Sequence, residues 1–444
     1  MKKTISIVAL LFGLSFLTSC ESTVTMDGSV DARVDAVIKG YIETLADAES
    51  GWIFDVMTSE GNYRFYMEFT DDNMVTMYTD NLYYPQWNGV PKTSTYNIRS
   101  LQRPTLSFDT YSYLAVINDP DNGISHGSGN MGLQTDFEFE VETFTDGIFY
   151  LTGRVNRVEA TLRPATAEES ASVKSGGLMD VLTNAQNYRA GEYCYFMIGE
   201  TKVSLILNAR SIDISYVDSE ENVIQASGYT RTDLEGNISL LEPIEVAGEM
   251  LTGFTWDSSA SAFEADVAGA PQIVDAQADP VIPLHYMLGP NKTYTVLASM
   301  LDMYPTYSAS ENEFAYLFSQ AYMKIAQGSD GLELQELDLE FYMTEGGAPR
   351  MMMVYYCSGY QGWVTYSLTF NETEDQFTVT GMSFDDDAYG NGAYFATLYT
   401  DLPLFWMNKT FKIDWLKMVY GSYSMGQVVL VDGQTPAAFH GALF

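Results

Sequence analysis

The chain is poor in the side chains on which most metal sites and nucleophilic catalysis depend. Its 444 residues hold only three histidines and three cysteines. His126, His285 and His440 lie far apart, and none belongs to HExxH or to a paired ligand spacing, so no local zinc motif is encoded. Neither a G-x-S-x-G elbow nor a CxxC pair occurs. A metal site or His-dependent triad would have to be assembled from distant positions by folding, and no metal or other cofactor is expected. Basic residues are also scarce, 22 Lys and Arg against 59 Asp and Glu, for a net charge of −37. That field repels phosphate backbones and anionic lipid surfaces, so nucleic acid is not an expected partner. Beyond the extreme N-terminus no segment reaches the roughly 18 apolar residues of a membrane-spanning helix. The acid is spread among aromatics rather than run together, which points to a folded, solvated surface instead of a disordered acidic tail. Divalent cations and neutral ligands remain open as partners.

The first twenty residues carry an address. Lys2-Lys3, an apolar run from Ile5 to Leu17 and then Leu17-Thr18-Ser19-Cys20 have the order of a secretory signal, a basic start followed by an apolar stretch and small residues before the cut. The cysteine directly after Leu-Thr-Ser resembles the lipobox of bacterial acylated lipoproteins, which makes Cys20 the expected lipidated N-terminus. Several acyl chains on one cysteine, each buried methylene contributing about 0.8 kcal/mol, hold a protein on a bilayer without a spanning helix.

About 424 residues remain, enough for two or three domains. Residues 21–29 read as a short polar tether. Val30, Val34, Val37, Ile38, Tyr41, Ile42 and Leu45 recur at helical intervals, which predicts an amphipathic helix over 31–46. The period then changes to two. Tyr63, Phe65, Met67 and Phe69 alternate with Arg64, Tyr66 and Glu68, and further strands are predicted at 74–79, 95–99, 105–108, 137–143, 148–153 and 158–163. Turns such as Thr70-Asp71-Asp72-Asn73 and Thr145-Asp146-Gly147 separate them. Pro164 and the Ser/Ala/Glu-rich stretch 165–176 mark the expected domain boundary. A helical piece at 168–186 leads to strands at 203–207, 212–216, 238–241 and 254–256. The Pro/Gly/Ala-rich stretch 269–293 reads as a long connection that divides the C-terminal region. Phe314, Leu317, Phe318, Ala321, Tyr322 and Ile325 predict a second helix, capped by Ser310 or Asn312. Strands follow near 332–342, 351–356, 363–370, 376–382, 411–413 and 427–431. The fold class expected is mainly β: an antiparallel sandwich or lipocalin-like barrel over 30–165, then a larger β-rich region with a few helices over 166–444. Cys194 and Cys357 lie in separate apolar segments. They could pair in an oxidising compartment, but buried free thiols are favoured.

Several signatures together resemble an uncharacterised domain family of Bacteroidetes lipoproteins. They are Ala48-Glu49-Ser50-Gly51-Trp52, Tyr63-Arg64-Phe65-Tyr66-Met67-Glu68-Phe69, Leu106-Ser107-Phe108-Asp109-Thr110-Tyr111, Asp119-Pro120, and Asp136-Phe137-Glu138-Phe139 followed by Ile148 and Leu151-Thr152-Gly153. The likeness covers mainly 30–165. It implies an outer-membrane or cell-surface lipoprotein encoded near starch-utilisation-type uptake systems, with nutrient capture as the role and no established catalytic residues. Glu21 stands alone before Ser22-Thr23-Val24-Thr25, without the acidic run that surface-exported lipoproteins of these bacteria often carry.

Local chemistry gives few sharp candidates. Gly127-Ser128-Gly129-Asn130-Met131-Gly132 has the form GxGxxG, but a strand rather than a helix follows it, so a loop is expected and not a dinucleotide site. Asp136, Glu138, Glu140 and Glu142 alternate with Phe137, Phe139 and Val141, as in a solvated strand face over a core. Asp119-Pro120-Asp121-Asn122-Gly123 and Asp385-Asp386-Asp387 hold carboxylates that suit calcium, yet neither has EF-hand spacing and Asx turns are favoured. Paired carboxylates for glycoside hydrolysis need only roughly 5–9.5 Å between two acids, which no sequence pattern selects. Aromatics are the remaining signal, with 31 Tyr and six Trp. In Leu82-Tyr83-Tyr84-Pro85-Gln86-Trp87, flat rings stand in a turn-rich segment where they can stack on sugar or peptide. Tyr83, Tyr84 and Trp87 are the candidate ligand-binding residues. The expected function is a non-catalytic, membrane-anchored surface lipoprotein that binds a glycan or peptide for an outer-membrane transporter complex. A hydrolase with paired carboxylates and a structural or adhesive surface protein are the competing classes.

Overall fold

The computed structural model describes residues 30–328, 331–343, 348–371, 375–384, 390–418, 420–431 and 433–444. Cys20, the 21–29 tether and Asp385-Asp386-Asp387 lie outside the described residues. The chain forms two compact units that divide between Met179 and Asp180.

The first unit opens with helix α1 (Val30–Ala46), followed by eight antiparallel strands in sequential order. They are β1 (Trp52–Thr58), β2 (Gly61–Phe69), β3 (Met74–Thr79), β4 (Lys92–Ser100), β5 (Pro104–Phe108), β6 (Glu138–Thr145), β7 (Ile148–Gly153) and β8 (Glu159–Pro164). β8 pairs back on β1, with Phe54 opposite Leu162, and closes a barrel. Of the two expected forms, sandwich or barrel, the barrel is the one formed. Alternation sends Trp52, Phe54, Val56, Tyr63, Phe65, Met67 and Phe69 inward, where an eight-stranded barrel leaves room for side chains and no channel. Each such apolar side chain contributes about 1.5–3 kcal/mol on burial. The apolar stripe of α1 packs on the same core, with the Tyr41 ring edge-on to Phe149 at 5.2 Å. Between β5 and β6 lie α2 (Tyr113–Ile117) and α3 (Asn122–Ser125), beyond β8 comes α4 (Ala167–Lys174), and α5 (Gly177–Gln186) begins in this unit and runs on into the second.

The family signatures build this barrel. Gly51 sits at φ 70°, where a Cβ would meet the Tyr66 hydroxyl oxygen at 2.6 Å. The Tyr66 hydroxyl donates to the Ser50 carbonyl at 2.8 Å and lies 2.7 Å from Ser170 Oγ of α4. Asp136 does not lie on a solvated strand face as expected. It is buried, and its carboxylate accepts the amides of Val155 and Asn156 at 2.8 and 3.1 Å. A Cβ at Gly153 would strike that carboxylate. Phe137, expected to point inward, is 38 % exposed.

The second unit begins with a nine-stranded sheet: β9 (Tyr193–Ile198), β10 (Thr201–Leu207), β11 (Ser211–Val217), β12 (Val223–Thr232), β13 (Ile238–Val246), β14 (Glu249–Asp257), β15 (Ala262–Val267), β16 (Ala270–Ile273) and β17 (Asp275–Gln277). β16 pairs with β15 and β17 with β9, so 270–277 bridges the two edges of the sheet. The stretch 269–293 is therefore not a bare connection: it holds two strands and helix α6 (Leu284–Met287), because Val274 between the strands is buried in the sheet's core.

A second closed barrel follows, from β18 (Val296–Ser299), β19 (Leu334–Tyr342), β20 (Arg350–Cys357), β21 (Tyr360–Asn371), β22 (Gln376–Ser383), β23 (Thr410–Trp415), β24 (Met425–Leu430) and β25 (Ala438–Leu443). Helix α7 (Glu313–Gly328) is inserted after the first strand, and Asn312 Oδ1 caps it by accepting the Ala315 amide at 3.2 Å. α8 (Asn391–Leu398) and α9 (Asp401–Leu404) fall between β22 and β23. Gly392 lies where a Cβ would meet the Trp363 carbonyl at 2.1 Å, so only glycine lets α8 approach β21 this closely. Cys194 and Cys357 are both free and buried, and burial pushes the Cys357 thiol up to about 12.

Candidate functional site

Tyr83, Tyr84 and Trp87 come together in the β3–β4 connection. Asn81 is buried and its Oδ1 accepts the Tyr83 amide at 3.1 Å, which starts the turn. Pro85 then opens a single 3-10 turn, Pro85–Trp87. Side chains three apart eclipse in that geometry, and Tyr84 stacks on Trp87 with centroids 3.9 Å apart and planes 14° from parallel. His126 follows α3 at φ 61° and lies flat on Tyr83 at 4.2 Å, with its edge toward Tyr84. At the other end Trp87 leans on Tyr113 at 4.8 Å, and the Lys92 ammonium sits over the Tyr111 ring at 4.7 Å. The result is a continuous strip of rings in which Tyr83 is 46 % and Tyr111 53 % exposed.

Hydrogen bonds hold the rings in place. The Tyr83 hydroxyl donates to Glu60 at 3.2 Å, Tyr84 to the Ile124 carbonyl at 2.5 Å, Tyr113 to the Val90 carbonyl at 3.1 Å and Tyr111 to Asp119 at 3.1 Å. Burial and the Asp119 contact hold the Tyr111 hydroxyl above its usual range. The strip is therefore a fixed surface of ring faces and edges, with Lys92 as its cation. It can stack and make van der Waals contact. Sequence reasoning missed His126, Tyr113, Tyr111 and Lys92. The only earlier signal was the aromatic and acidic density of the 108–126 segment.

The other sequence candidates are structural. Glu138, Glu140 and Glu142 face solvent as expected but are held by arginines: Glu138 by Arg154 at 2.6 Å, Glu140 by Arg157 at 3.2 Å, and Glu142 by Arg103. Asp119 and Asp121 accept backbone amides two residues on, as Asx turns do. The glycine loop folds on itself, since a Cβ at Gly127 would meet the Gly132 carbonyl at 2.2 Å. The histidines stay apart in role. His285 is buried, which pushes it down to about 4, and its Nδ1 lies 2.7 Å from Asp375, while His440 stacks on Tyr304. Among the described residues no group of three or more His, Cys, Asp and Glu is placed to hold a metal.

The second unit has its own concavity. A groove of about 990 Å³ is walled by Tyr193, Leu205 and Ile206 on the sheet side and by Trp415, Met418 and Tyr423 on the barrel side. No local sequence pattern signals it, because its walls come from segments about 200 residues apart.

Two closed barrels of short antiparallel strands and a nine-stranded sheet define a mainly β protein. The chain belongs to the family described as a domain of unknown function (DUF4302), whose model matches residues 25–258. No curated protein matches it. Solved structures with partial likeness include the DNA polymerase III beta chain of Streptococcus pneumoniae, at 10 % identity over 91 % of this chain and 98 % of that one, with a TM-score of 0.13. The beta subunits of Streptococcus pyogenes and Thermotoga maritima match at 10 % identity and a TM-score of 0.13, over 92 % of this chain and 98 % and 96 % of theirs. Likeness at these scores carries no inference about fold or activity.

Proposed function

We propose that this protein is a non-catalytic binding lipoprotein, anchored in the outer membrane through Cys20, that presents the Tyr83–Tyr84–Trp87 strip to a glycan or peptide ligand for an uptake system. The observation that carries the reading is the ring strip itself. Its rings are pre-ordered by stacking and hydrogen bonds, so a ligand stacking on them costs little side-chain entropy. The net charge of −37 favours neutral ligands over anionic ones. The lipobox-like Leu17-Thr18-Ser19-Cys20 and the likeness to Bacteroidetes surface lipoproteins support the address and the uptake role.

Glycan and peptide arrays probed with the full chain in a detergent free of sugar test the strip, with a hydrolysis assay beside them. Wild type is expected to retain at least one ligand that Tyr83→Ala loses, without turnover. Release of cleaved product would favour the hydrolase instead. Fatty-acid labelling of wild type and Cys20→Ala tests the anchor, and an untagged wild type would overturn it.

A further inference from the structure

The outer face of the middle sheet carries hydrogen-bonding side chains that the fold itself does not use. Register sets Tyr195, Ser204, Ser215 and Gln225 side by side across β9, β10, β11 and β12, with Ile206, Asp213 and Ser227 in the next row. The side chains of Ser204, Ser215, Gln225 and Ser227 make no hydrogen bond among the described residues. Because the middle of the row is serine, the face sinks into a trough of about 380 Å³. That trough runs into the 990 Å³ groove through Ser204, Ile206 and Ser215, which line both. Where they join, Tyr193 is 43 % exposed, and Tyr423 across the groove is 47 % exposed.

We propose that this trough and groove form a second binding site, for a neutral oligosaccharide lying across β9–β12. A sugar ring has an apolar C–H face, which suits an exposed tyrosine ring, and a rim of hydroxyls that both donate and accept. Serine hydroxyls and a glutamine amide also do both. A purely apolar ligand would leave those groups desolvated and unpaired. An anion would meet Asp213 and the field of a strongly acidic chain. An extended peptide adding to a sheet needs a free edge, whereas β10 and β11 are each paired on both sides.

The test uses the full chain carrying Tyr83→Ala and His126→Gly, so that the N-terminal strip is silenced throughout and its fate cannot be confused with that of the trough. Calorimetric titration with neutral gluco-, manno- and xylo-oligosaccharides is expected to show saturable binding of at least one. Adding Tyr193→Ala or Gln225→Ala should weaken it about tenfold, and Ser215→Trp, which fills the trough, should abolish it with the circular dichroism spectrum unchanged. Absence of any saccharide binding, binding indifferent to all three substitutions, or saturable binding only of neutral peptides run in parallel would each overturn the proposal.

Discussion

The first and last barrels have the same strand number, direction and sequential order, yet each buries a carboxyl on the outside of its wall in an opposite way. In the first, Asp55 is 4 % exposed and faces Arg64, which donates from Nε at 2.8 Å and from a terminal nitrogen at 3.2 Å. In the last, Asp338 is 5 % exposed, and the groups acting on it are Glu336, Glu340 and the Tyr356 hydroxyl. Burial, reinforced by the two acids, pushes its carboxyl up to about 8. One buried acid is matched by a fork of cationic donors, and burial and like charge push the other toward its neutral form. The barrels also differ in their rings. The first shows Tyr83, Tyr84 and Trp87 at its surface, whereas the last turns Phe314, Phe405, Trp406 and Phe411 into its core, with Trp406 and Phe411 centroids 4.8 Å apart. A common architecture thus fixes neither where charge is tolerated nor where aromatics face. Both are set by which side of an alternating strand or loop the residue falls on.

The contrast between the two carboxyls can be broken most forcefully at Arg64. Arg64→Met leaves Asp55 buried without its counter-charge, and chemical denaturation should show a loss of about 3–5 kcal/mol. An Asp55→Leu change added to it should recover much of that loss, since an apolar pair carries no buried charge. A cost below about 1 kcal/mol for the single change would end the idea that the pair matters. The next effect is one of pH. Asp338 has its folded pKa raised above its unfolded 3.8, so the folded protein binds more protons across that window, and stability declines as pH rises from about 4 through 8. Asp338→Asn should flatten that slope and gain about 1–3 kcal/mol over wild type near pH 9. His285 works in the opposite direction. Its depressed pKa removes stability as pH falls from about 6.5 toward 4, so the acidic limb should persist in the Asp338→Asn variant. The smallest change is Ser170→Ala. The Tyr66 hydroxyl keeps Ser50 and Glu68 as partners, so a loss of about 0.5–1 kcal/mol in thermal unfolding is expected.

In the first barrel, β7 and β8 are legible because one side chain in two faces the core, and β2, though buried on both faces, because Tyr63, Phe65, Met67 and Phe69 alternate in its sequence with Arg64 and Glu68. β1 is not: Trp52–Thr58 is buried on nearly every residue, between the core and the polar layer around Asp55, so no period of two exists to be read. The same double burial hides β18, which is only four residues long. The pairing of Arg64 with Asp55 depends on strand register, which hydrophobic pattern does not announce. Of the ring strip, the Tyr84–Trp87 stack is written locally by Pro85 and a spacing of three. His126 and Tyr113 arrive from the β5–β6 connection only once the barrel has closed, and the trough on β9–β12 needs the sheet's register before its serines fall into a row.

The central claim is that the exposed rings of the first barrel hold a ligand. Glycan and peptide arrays probed in parallel with wild type and Tyr83→Ala test it most directly. The account predicts a ligand retained by wild type and lost from the variant; two identical binding profiles, or a wild type that retains nothing, would contradict it.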